Sequence, residues 1–318
     1  MKEPYPRGSR LSAIILAGGD GSRLSGLTRA IAGEEIPKQF FPLLTDETLL
    51  EQTLRRVSLV VPSSRTVTVL TRQHERFYQT LIPDDRDTSF AVQPANRETA
   101  PAILFALFRL MARGEQGTVS IFPSDHYVSD DLRFMSHVEA AAAAVALRPA
   151  QLVLLGIPPD RPETQYGWIE PQNPIRPGAT GLSDVLRVRR FWEKPSPELA
   201  MQLWKRGFLW NSFVLVARLT ALIDLFARAL PRLYVSFGKV FSALGTADEG
   251  EAIERLYSSI GSESFADRIL VDFAEELSVL PVRGLTWNDL GDPMRVLAMI
   301  EHLGARPGWL AACKKRGI

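Results

Sequence analysis

The chain has 318 residues, a formal net charge of +1, an apolar fraction of 46% and a charged fraction of 23%. These values are typical of a globular protein that can bury a large core, and they predict one main α/β domain with a smaller C-terminal appendage. A charge so close to zero gives no electrostatic support for nucleic acid or an acidic membrane as a partner.

The sequence carries no sign of secretion or membrane insertion. Residues 1–10 form a polar, proline-bearing tail, and the apolar run at 11–17 is too short for a signal-peptide core. The longer apolar stretch at 140–157 is interrupted by Arg148 and Pro149, which argues against a membrane span. A single cysteine, Cys313, fits a reducing compartment, so we expect a cytoplasmic protein. A homodimer is one assembly that the sequence allows.

The first half of the chain alternates short apolar runs with longer helical patterns. Strands are predicted at 13–16, 66–70, 90–93, 119–122 and 152–156, and helices at 48–57, 74–81, 99–112 and 132–147. This alternation predicts an α/β fold with a Rossmann-like, mostly parallel sheet and helices on both faces. Ligands of such sheets bind at the carboxyl ends of the strands.

The pattern changes after residue 157, where proline and glycine become frequent. We interpret residues 157–215 as an inserted, partly antiparallel lobe, with strands at 166–170, 185–192 and 212–217 and a helix at 197–205. A helical region at 219–257, a strand at 278–281 and a loop at 287–293 follow. The predicted division is a tail at 1–10, a catalytic domain at 11–293 and a helical appendage at 294–318.

A glycine-rich segment, AGGDGSRL, begins at Ala17 directly after the first strand. Glycines there let backbone N–H groups approach a phosphate closely. The dinucleotide fingerprint fails because Leu24 stands where a third glycine is needed, and the P-loop fails because no Gly-Lys-Ser/Thr follows. A tight turn without a ligand is the alternative, but Arg23 favours a polyphosphate. Lys38, in PKQF, is either a second phosphate cation or a solvated lysine.

A carboxylate, Asp125, follows the fourth strand and should lie at the same sheet edge. It could hold Mg²⁺, which prefers one or two carboxylates plus substrate phosphates, or it could cap a turn. His126 is interpreted as structural, and the histidine spacing argues against zinc. Further candidates follow in FWEKP, LWNS and WNDLGDP, each also open to a purely structural reading. No Ser–His–Asp or Cys–His pattern indicates a protein nucleophile, which a reaction between two phosphates would not need.

Together these segments resemble the nucleotidyltransferases that make nucleotide sugars, most closely the mannose-1-phosphate guanylyltransferases. In chain order, between about residues 13 and 293, the matching segments are LAGGDGSRL, PKQF, QPANRETAPAI, FPSDHYV, PETQYGW, FWEKPSPELA, LWNS and WNDLGDP. Because they occur in the family's order and approximate spacing, the resemblance is specific.

The resemblance implies a role for each matching residue. The implied catalytic residues are Arg23, Lys38, Asp125, Lys194 and Asp289, with Asp125 and Asp289 as the Mg²⁺ ligands. The implied nucleotide-binding residues are Ala17, Gly18, Gly19, Gly21, Gln93, Asn96, Arg97 and Ser124. The implied sugar-binding residues are Gly167, Glu193 and Asn211.

The resemblance also implies the reaction. The expected activity is Mg²⁺-dependent transfer of a guanylyl group from GTP to mannose 1-phosphate, giving GDP-mannose and pyrophosphate. Alternatives are another triphosphate or another sugar 1-phosphate, such as glucose 1-phosphate, and a non-catalytic nucleotide-sugar sensor.

Several departures from the family pattern affect the base and sugar ends. Residues 25–35 are expected as a long loop that could close over the nucleotide. Asn211-Ser212 runs directly to Phe213 without the usual Gly-Met, and residues 264–267 replace a Ser-Ile-Asp-Tyr segment whose aspartate cannot be aligned securely.

Overall fold

A nine-stranded mixed sheet organises the chain. The computed structural model describes residues 11–81, 89–173 and 184–310, so the predicted tail at 1–10, Cys313 and the end of the predicted appendage lie outside the described residues. The strands are β1 (Leu11–Leu16), β2 (Thr66–Thr71), β3 (Phe90–Gln93), β4 (Thr118–Pro123), β5 (Tyr127–Val128), β6 (Leu152–Ile157), β7 (Trp168–Pro171), β8 (Leu186–Trp192), β9 (Leu209–Arg218), β10 (Leu277–Pro281) and β11 (Trp287–Asn288). The large sheet has the order β3-β2-β1-β4-β9-β6-β10-β8-β7, and β5 pairs separately with β11.

Helices cover both faces of this sheet, which confirms the predicted α/β class. They are α1 (Ser25–Ala32), α2 (Leu49–Ser58), α3 (Glu75–Tyr78), α4 (Thr99–Ala112), α5 (Asp131–Leu147), α6 (Pro197–Lys205), α7 (Leu219–Ala229), α8 (Pro231–Val240), α9 (Glu249–Ser259) and α10 (Pro293–Leu303). One core joins α4, α7, α8 and α9 to one face, and the other joins α2 and α5 to the opposite face. Burial of β1, β2, β4 and β6 on both sides explains their nearly continuous apolar sequences.

The two halves of the sheet differ in how their strands pair: one half is wholly parallel, and the other contains antiparallel pairs. The strands β3, β2, β1 and β4 are mutually parallel, as predicted. Strand β9 then runs antiparallel between β4 and β6, and β7 and β8 pair antiparallel at the far edge. The antiparallel strands predicted for an inserted lobe therefore continue the main sheet.

The stretch after Arg23 is helical, which corrects the expectation of a loop at 25–35. Helix α1 ends at Gly33, whose φ of 83° provides the left-handed conformation common after a helix. Beyond it, the Ile36 N–H donates to the Thr28 hydroxyl over 3.1 Å, and Arg29 pairs with Glu35. These contacts fold the end of the segment back onto the helix.

Helix α10 lies in the predicted appendage and packs against the N-terminal part of the chain. Its Val296, Met299 and Ile300 join a third apolar cluster with residues that follow the glycine segment. The other fully buried members of that cluster are Leu24, Phe41, Leu43, Leu44, Leu49 and Leu290. The helix thus connects the segment around residue 290 to the segment around residue 24. Within the described residues, no helix is long and apolar enough to cross a bilayer.

This packing predicts that Ile300→Ala lowers the free energy of unfolding by about 3 kcal/mol, because a buried side chain is truncated and leaves a cavity. Met294→Ala is the matched control, since Met294 lies on the same helix and is 73% exposed. We expect it to change stability by less than about 0.5 kcal/mol. Urea unfolding of both variants measures the difference, and equal losses would contradict the packing.

Candidate active site

Strand register brings the glycine segment and Asp125 to the same level. In the parallel pair of β1 and β4, Leu16 lies opposite Pro123, and the Ser124 N–H donates to the Leu16 carbonyl over 3.2 Å. The chain therefore leaves both strands at the carboxyl edge of the sheet, where the topology predicts a ligand crevice.

The glycine segment is fixed through its carbonyl groups. The Gln39 side-chain amide donates to the carbonyls of Ala17 and Gly19 over 3.0 and 2.7 Å. The Thr71 hydroxyl donates to the Gly18 carbonyl over 2.9 Å. A Cβ on Gly18 would lie 2.7 Å from Thr71 Oγ1 and from the Gln93 amide nitrogen, so only glycine fits there.

Gly21 is required for a different reason. Its φ is 62°, and a Cβ would lie 2.8 Å from the backbone nitrogen of Lys38. The loop therefore turns directly against the PKQF segment. Asp20, between the glycines, accepts from the Asn96 side chain over 3.1 Å and from Gln73, and it lies 3.3 Å from His74 Nε2. These contacts join the loops that follow β1, β2 and β3.

Lys38 connects the two loops that carry the predicted metal ligands. Its buried ammonium lies 3.0 Å from Asp125 Oδ2 and donates to the main-chain carbonyl of Asp289. Asp289 lies beside Asp125 because β11 pairs with β5, and this pairing places Asn288 opposite Tyr127. Lys38 is therefore a buried link between the carboxylate loops.

Asp289 is held by one of its two carboxylate oxygens. Its Oδ1 accepts from the Tyr166 hydroxyl over 2.8 Å, from Arg295 Nη1 over 2.8 Å and from the Gly291 N–H over 2.9 Å. Its Oδ2 lies 3.9 Å from Arg23 Nη2. Burial raises the pKa of Asp289, but the nearby cations and the Tyr166 hydrogen bond outweigh burial, so the net pKa is below its usual value. Asp289 is therefore a carboxylate at neutral pH.

The imidazole of His126, which was interpreted as structural from the sequence, lies beside Asp125, with Nε2 3.5 Å from Asp125 Oδ1. Its ring packs edge-to-face on Trp287 with centroids 5.0 Å apart. Burial lowers the pKa of His126 to about 4, so the ring is neutral.

Two adjoining cavities, of about 290 and 530 Å³, occupy the carboxyl edge. Of the residues implied by the resemblance, the smaller is lined by Gly19, Gly21, Ser124, Asp125, Gly167, Glu193, Asn211 and Asp289. The larger is lined by Gly18, Gly19, Arg23, Gln93, Asn96, Glu193 and Lys194. Glu193 borders both cavities and joins the two sets.

Three of the residues implied by the resemblance lie behind the cavity walls. Ala17 is fully buried, and its N–H donates to the Val69 carbonyl. Lys38 reaches the cavity only through Asp125 and Asp289. Arg97 points away and donates to the Tyr257 carbonyl over 3.2 and 3.3 Å, so its side chain supports the loop.

The larger cavity also contains a carboxylate, Asp267, that the sequence did not align. Asp267, at the start of a π-helical turn (Ala266–Val271), lines this cavity together with Glu193 and Lys194. Burial raises the pKa of Glu193, Asp267 adds to the effect, and Lys194 opposes it. Asn211 uses its side-chain oxygen to accept from the Phe213 N–H over 3.0 Å, which leaves its amide nitrogen for a ligand.

Several site residues were missed from the sequence. Gln39 belongs to the PKQF motif and Tyr166 to PETQYGW, but neither residue was given a role from the sequence. Arg295 lay beyond the last motif, in the predicted appendage. Phe213 and Glu98 line the cavities with φ angles of 62° and 65°, a conformation that side chains rarely adopt.

Comparison with known proteins identifies the family. Residues 12–305 match the family model described as nucleotidyl transferase. The chain belongs to this family. It is 32% identical to the mannose-1-phosphate guanylyltransferase of Sinorhizobium fredii, over 89% of this chain and 53% of that protein. It is 30% identical to the xanthan biosynthesis protein XanB of Xanthomonas campestris, over 92% of this chain and 60% of that protein.

Structural similarity agrees with this assignment. A crystal structure described as mannose-1-phosphate geranyltransferase from Thermus thermophilus has a TM-score of 0.75 and 28% identity, covering 91% of this chain and 79% of that chain. The resemblance predicted from the motifs is therefore confirmed at the level of the nucleotidyl transferase family. The chain spans 53% and 60% of the length of the two curated relatives described above.

The Gly21 turn predicts a specific loss in this nucleotidyl transferase. Gly21→Ala forces a side chain into a left-handed conformation that costs roughly 1–2 kcal/mol, and places it against Lys38. We expect the affinity for a nucleoside triphosphate to fall about tenfold, measured by isothermal titration. Gly26→Ala is the matched control, because a Cβ there meets nothing within 4 Å in helix α1. Unchanged triphosphate affinity in Gly21→Ala would contradict the assignment of this loop.

Proposed function

We propose that this protein catalyses Mg²⁺-dependent transfer of a guanylyl group from GTP to mannose 1-phosphate, giving GDP-mannose and pyrophosphate. The observation that carries the proposal is the convergence of the glycine loop, Arg23, Asp125 and Asp289 on one edge of the sheet, beside a cavity that holds Glu193 and Lys194. This arrangement supports a triphosphate and a second anionic substrate lying side by side.

The chemistry requires two phosphates to react. An oxygen of the sugar 1-phosphate forms a bond to the α-phosphorus of the triphosphate, while the bond from that phosphorus to the bridging oxygen breaks and pyrophosphate leaves with the electron pair. The attacking phosphate has a second pKa of about 6 and is largely dianionic at neutral pH, so no general base is needed. The obstacle is repulsion between anions, which cations and alignment reduce.

The side chains divide this work by position. Arg23, with its side chain 54% exposed, can contact the triphosphate above the glycine loop. Lys194, 61% exposed and 3.6 Å from Glu193, can contact the sugar phosphate. Glu193 can accept hydrogen bonds from sugar hydroxyls, and the Asn211 amide nitrogen can donate hydrogen bonds to them. Lys38 holds the two aspartates and acts on the substrates only through them.

The residues present fit a magnesium ion that is completed by substrate phosphates. Asp289 Oδ2 has space beside it because Gly291 lacks a side chain, and a Cβ there would lie 2.4 Å from this oxygen. Within the described residues there is no cluster of three or more potential ligands, which argues against an all-protein cage. Asp125 and Asp289 would hold a bound Mg²⁺, which would reduce the negative charge of the substrate phosphates.

The choice of guanine and mannose is supported by similarity. The relatives include proteins named mannose-1-phosphate guanylyltransferase, one of them 32% identical. Within the site, the side-chain oxygen of Gln93 accepts a hydrogen bond from the Tyr257 hydroxyl over 2.9 Å. The amide nitrogen of Gln93 is therefore a donor suited to a carbonyl on the base.

The test is pyrophosphate release by the purified protein from four triphosphates, each paired with several sugar 1-phosphates. We expect release chiefly from GTP with mannose 1-phosphate, loss of release with a chelator, and recovery when Mg²⁺ is added. Release from another pair would keep the reaction and replace the substrates. Silence from folded protein that still binds nucleotide would favour a non-catalytic sensor.

Lys194 provides a separate prediction about the second substrate. Lys194→Ala removes a charge-assisted contact worth roughly 1.5–3 kcal/mol, so the KM for the sugar 1-phosphate should rise about 10- to 100-fold while the KM for the triphosphate changes little. Lys205→Ala, at an exposed lysine of α6, is the matched control. An equal rise in both KM values would argue against contact with the sugar phosphate.

A further inference from the structure

Arg295 occupies the centre of a buried ionic cluster at the edge of the site. Its side chain is 11% exposed and contacts three carboxylates. The distances are 2.8 Å from Nη1 to Asp289 Oδ1, 2.8 Å from Nη2 to Glu163 Oε2 and 3.0 Å from Nε to Asp292 Oδ2. The guanidinium also lies 4.7 Å from the centroid of the Tyr166 ring. Each of its three nitrogen atoms therefore contacts a protein carboxylate.

The location of Arg295 in its helix is unfavourable on local grounds. Helix α10 begins with the Asp292 cap and Pro293, so Arg295 lies in the first turn, where the helix dipole disfavours a cation. A positive charge there needs a compensating interaction. Asp289 and Glu163 supply one, since both carboxylates are about nine-tenths buried.

Arg295 and Tyr166 act on the same oxygen of Asp289. Together with the Gly291 N–H they give Oδ1 three donors, while Oδ2 faces the space beside Gly291. A carboxylate held in this way can offer only one oxygen to a cation. It also cannot rotate without breaking three hydrogen bonds.

We propose that Arg295 and Tyr166 are positioning residues that fix Asp289 as a one-oxygen ligand of the metal. The inference rests on the metal role of Asp289 in the proposed function. Outer hydrogen-bonding partners of a metal ligand typically contribute 10- to 100-fold to metal affinity. Tyr166 adjoins Gly167, which lines the site, so the same contacts tie Asp289 to the segment expected to meet the sugar.

The experiment measures the dissociation constant of Mn²⁺ from the complex of the full chain with GTP, without a sugar 1-phosphate. Free Mn²⁺ is read by electron paramagnetic resonance, with the binding of Mn²⁺ to GTP alone subtracted. For Arg295→Met and Tyr166→Phe we expect Mn²⁺ to bind about 10- to 100-fold more weakly. The affinity for GTP in the absence of metal should be unchanged, which separates positioning of the ligand from general damage to the fold.

Arg161→Met is the matched control, because Arg161 also approaches Glu163 Oε2, at 3.4 Å, but does not contact Asp289. It should keep the wild-type Mn²⁺ affinity. If Arg295→Met does not fold, Tyr166→Phe decides, since it removes a single hydroxyl. Wild-type Mn²⁺ affinity in Tyr166→Phe would overturn the proposal.

Asp289→Asn separates this inference from the function on which it rests. Loss of Mn²⁺ binding in Asp289→Asn, with wild-type binding in Tyr166→Phe, would overturn the positioning role and keep the metal ligand. Wild-type Mn²⁺ binding in Asp289→Asn would overturn both.

Discussion

The site depends on the contacts that the buried ammonium of Lys38 makes. The ammonium joins Asp125, which follows β4, to the main chain at Asp289, which follows β11, although these residues lie in distant parts of the sequence. Without this cation, the two loops would bring the carboxylates of Asp125 and Asp289 into one cavity with less positive charge nearby to offset their repulsion. A buried charge is tolerated when it is paired and hydrogen-bonded, and Lys38 meets both conditions. The Gly21 turn packs directly against its backbone, so the glycine segment and the carboxylates share one support.

The sequence predicted the part of the site that follows from strand order. The segment after β1 and the segment after β4 could be placed together because parallel strands leave the sheet at one edge. Asp289 could not be placed by that rule, since its position depends on the two-residue pairing of β11 with β5. Its role as a metal ligand was implied only by the family resemblance. The position of β9 between β4 and β6 in the main sheet was also not predicted, because burial on both faces gives the same apolar pattern to a parallel and an antiparallel strand.

Two other errors have identifiable physical causes. Residues 25–35 looked like a loop because of Gly26 and Gly33, but Gly33 ends a helix and Gly26 lies in its first turn. Arg295 was missed because no motif includes it. A signal was nevertheless present, since an arginine in the first turn of a helix opposes the helix dipole. Such a local conflict indicates a compensating interaction, and here the interaction is with a carboxylate of the site.

Backbone strain in the described residues is concentrated around the cavities. The non-glycine residues with positive φ are Glu98, Lys194, Phe213 and Leu290, and each lines a cavity or adjoins Asp289. Phe213 lies where the pairing of β6 with β9 shifts register, and it lines both cavities. Conformations of this kind persist only where the surrounding structure enforces them. The surrounding sheet and loops hold these residues in place, and the strained residues shape the walls of the cavities.

The charge of the cavities bears on the proposed reaction, in which two phosphates would bind side by side. The carboxylates that line them are Glu98, Asp125, Glu193, Asp267 and Asp289, whereas the lining lysine and arginine residues are Lys194 and Arg23. Lys38 and Arg295 are already committed to aspartates. A triphosphate and a sugar phosphate would therefore enter a region whose own charge is negative among the described residues, and the side chains alone cannot offset the repulsion. A divalent cation held by Asp125 and Asp289 would reduce that repulsion. The acidic cavity and the proposed metal dependence are thus two aspects of one electrostatic arrangement.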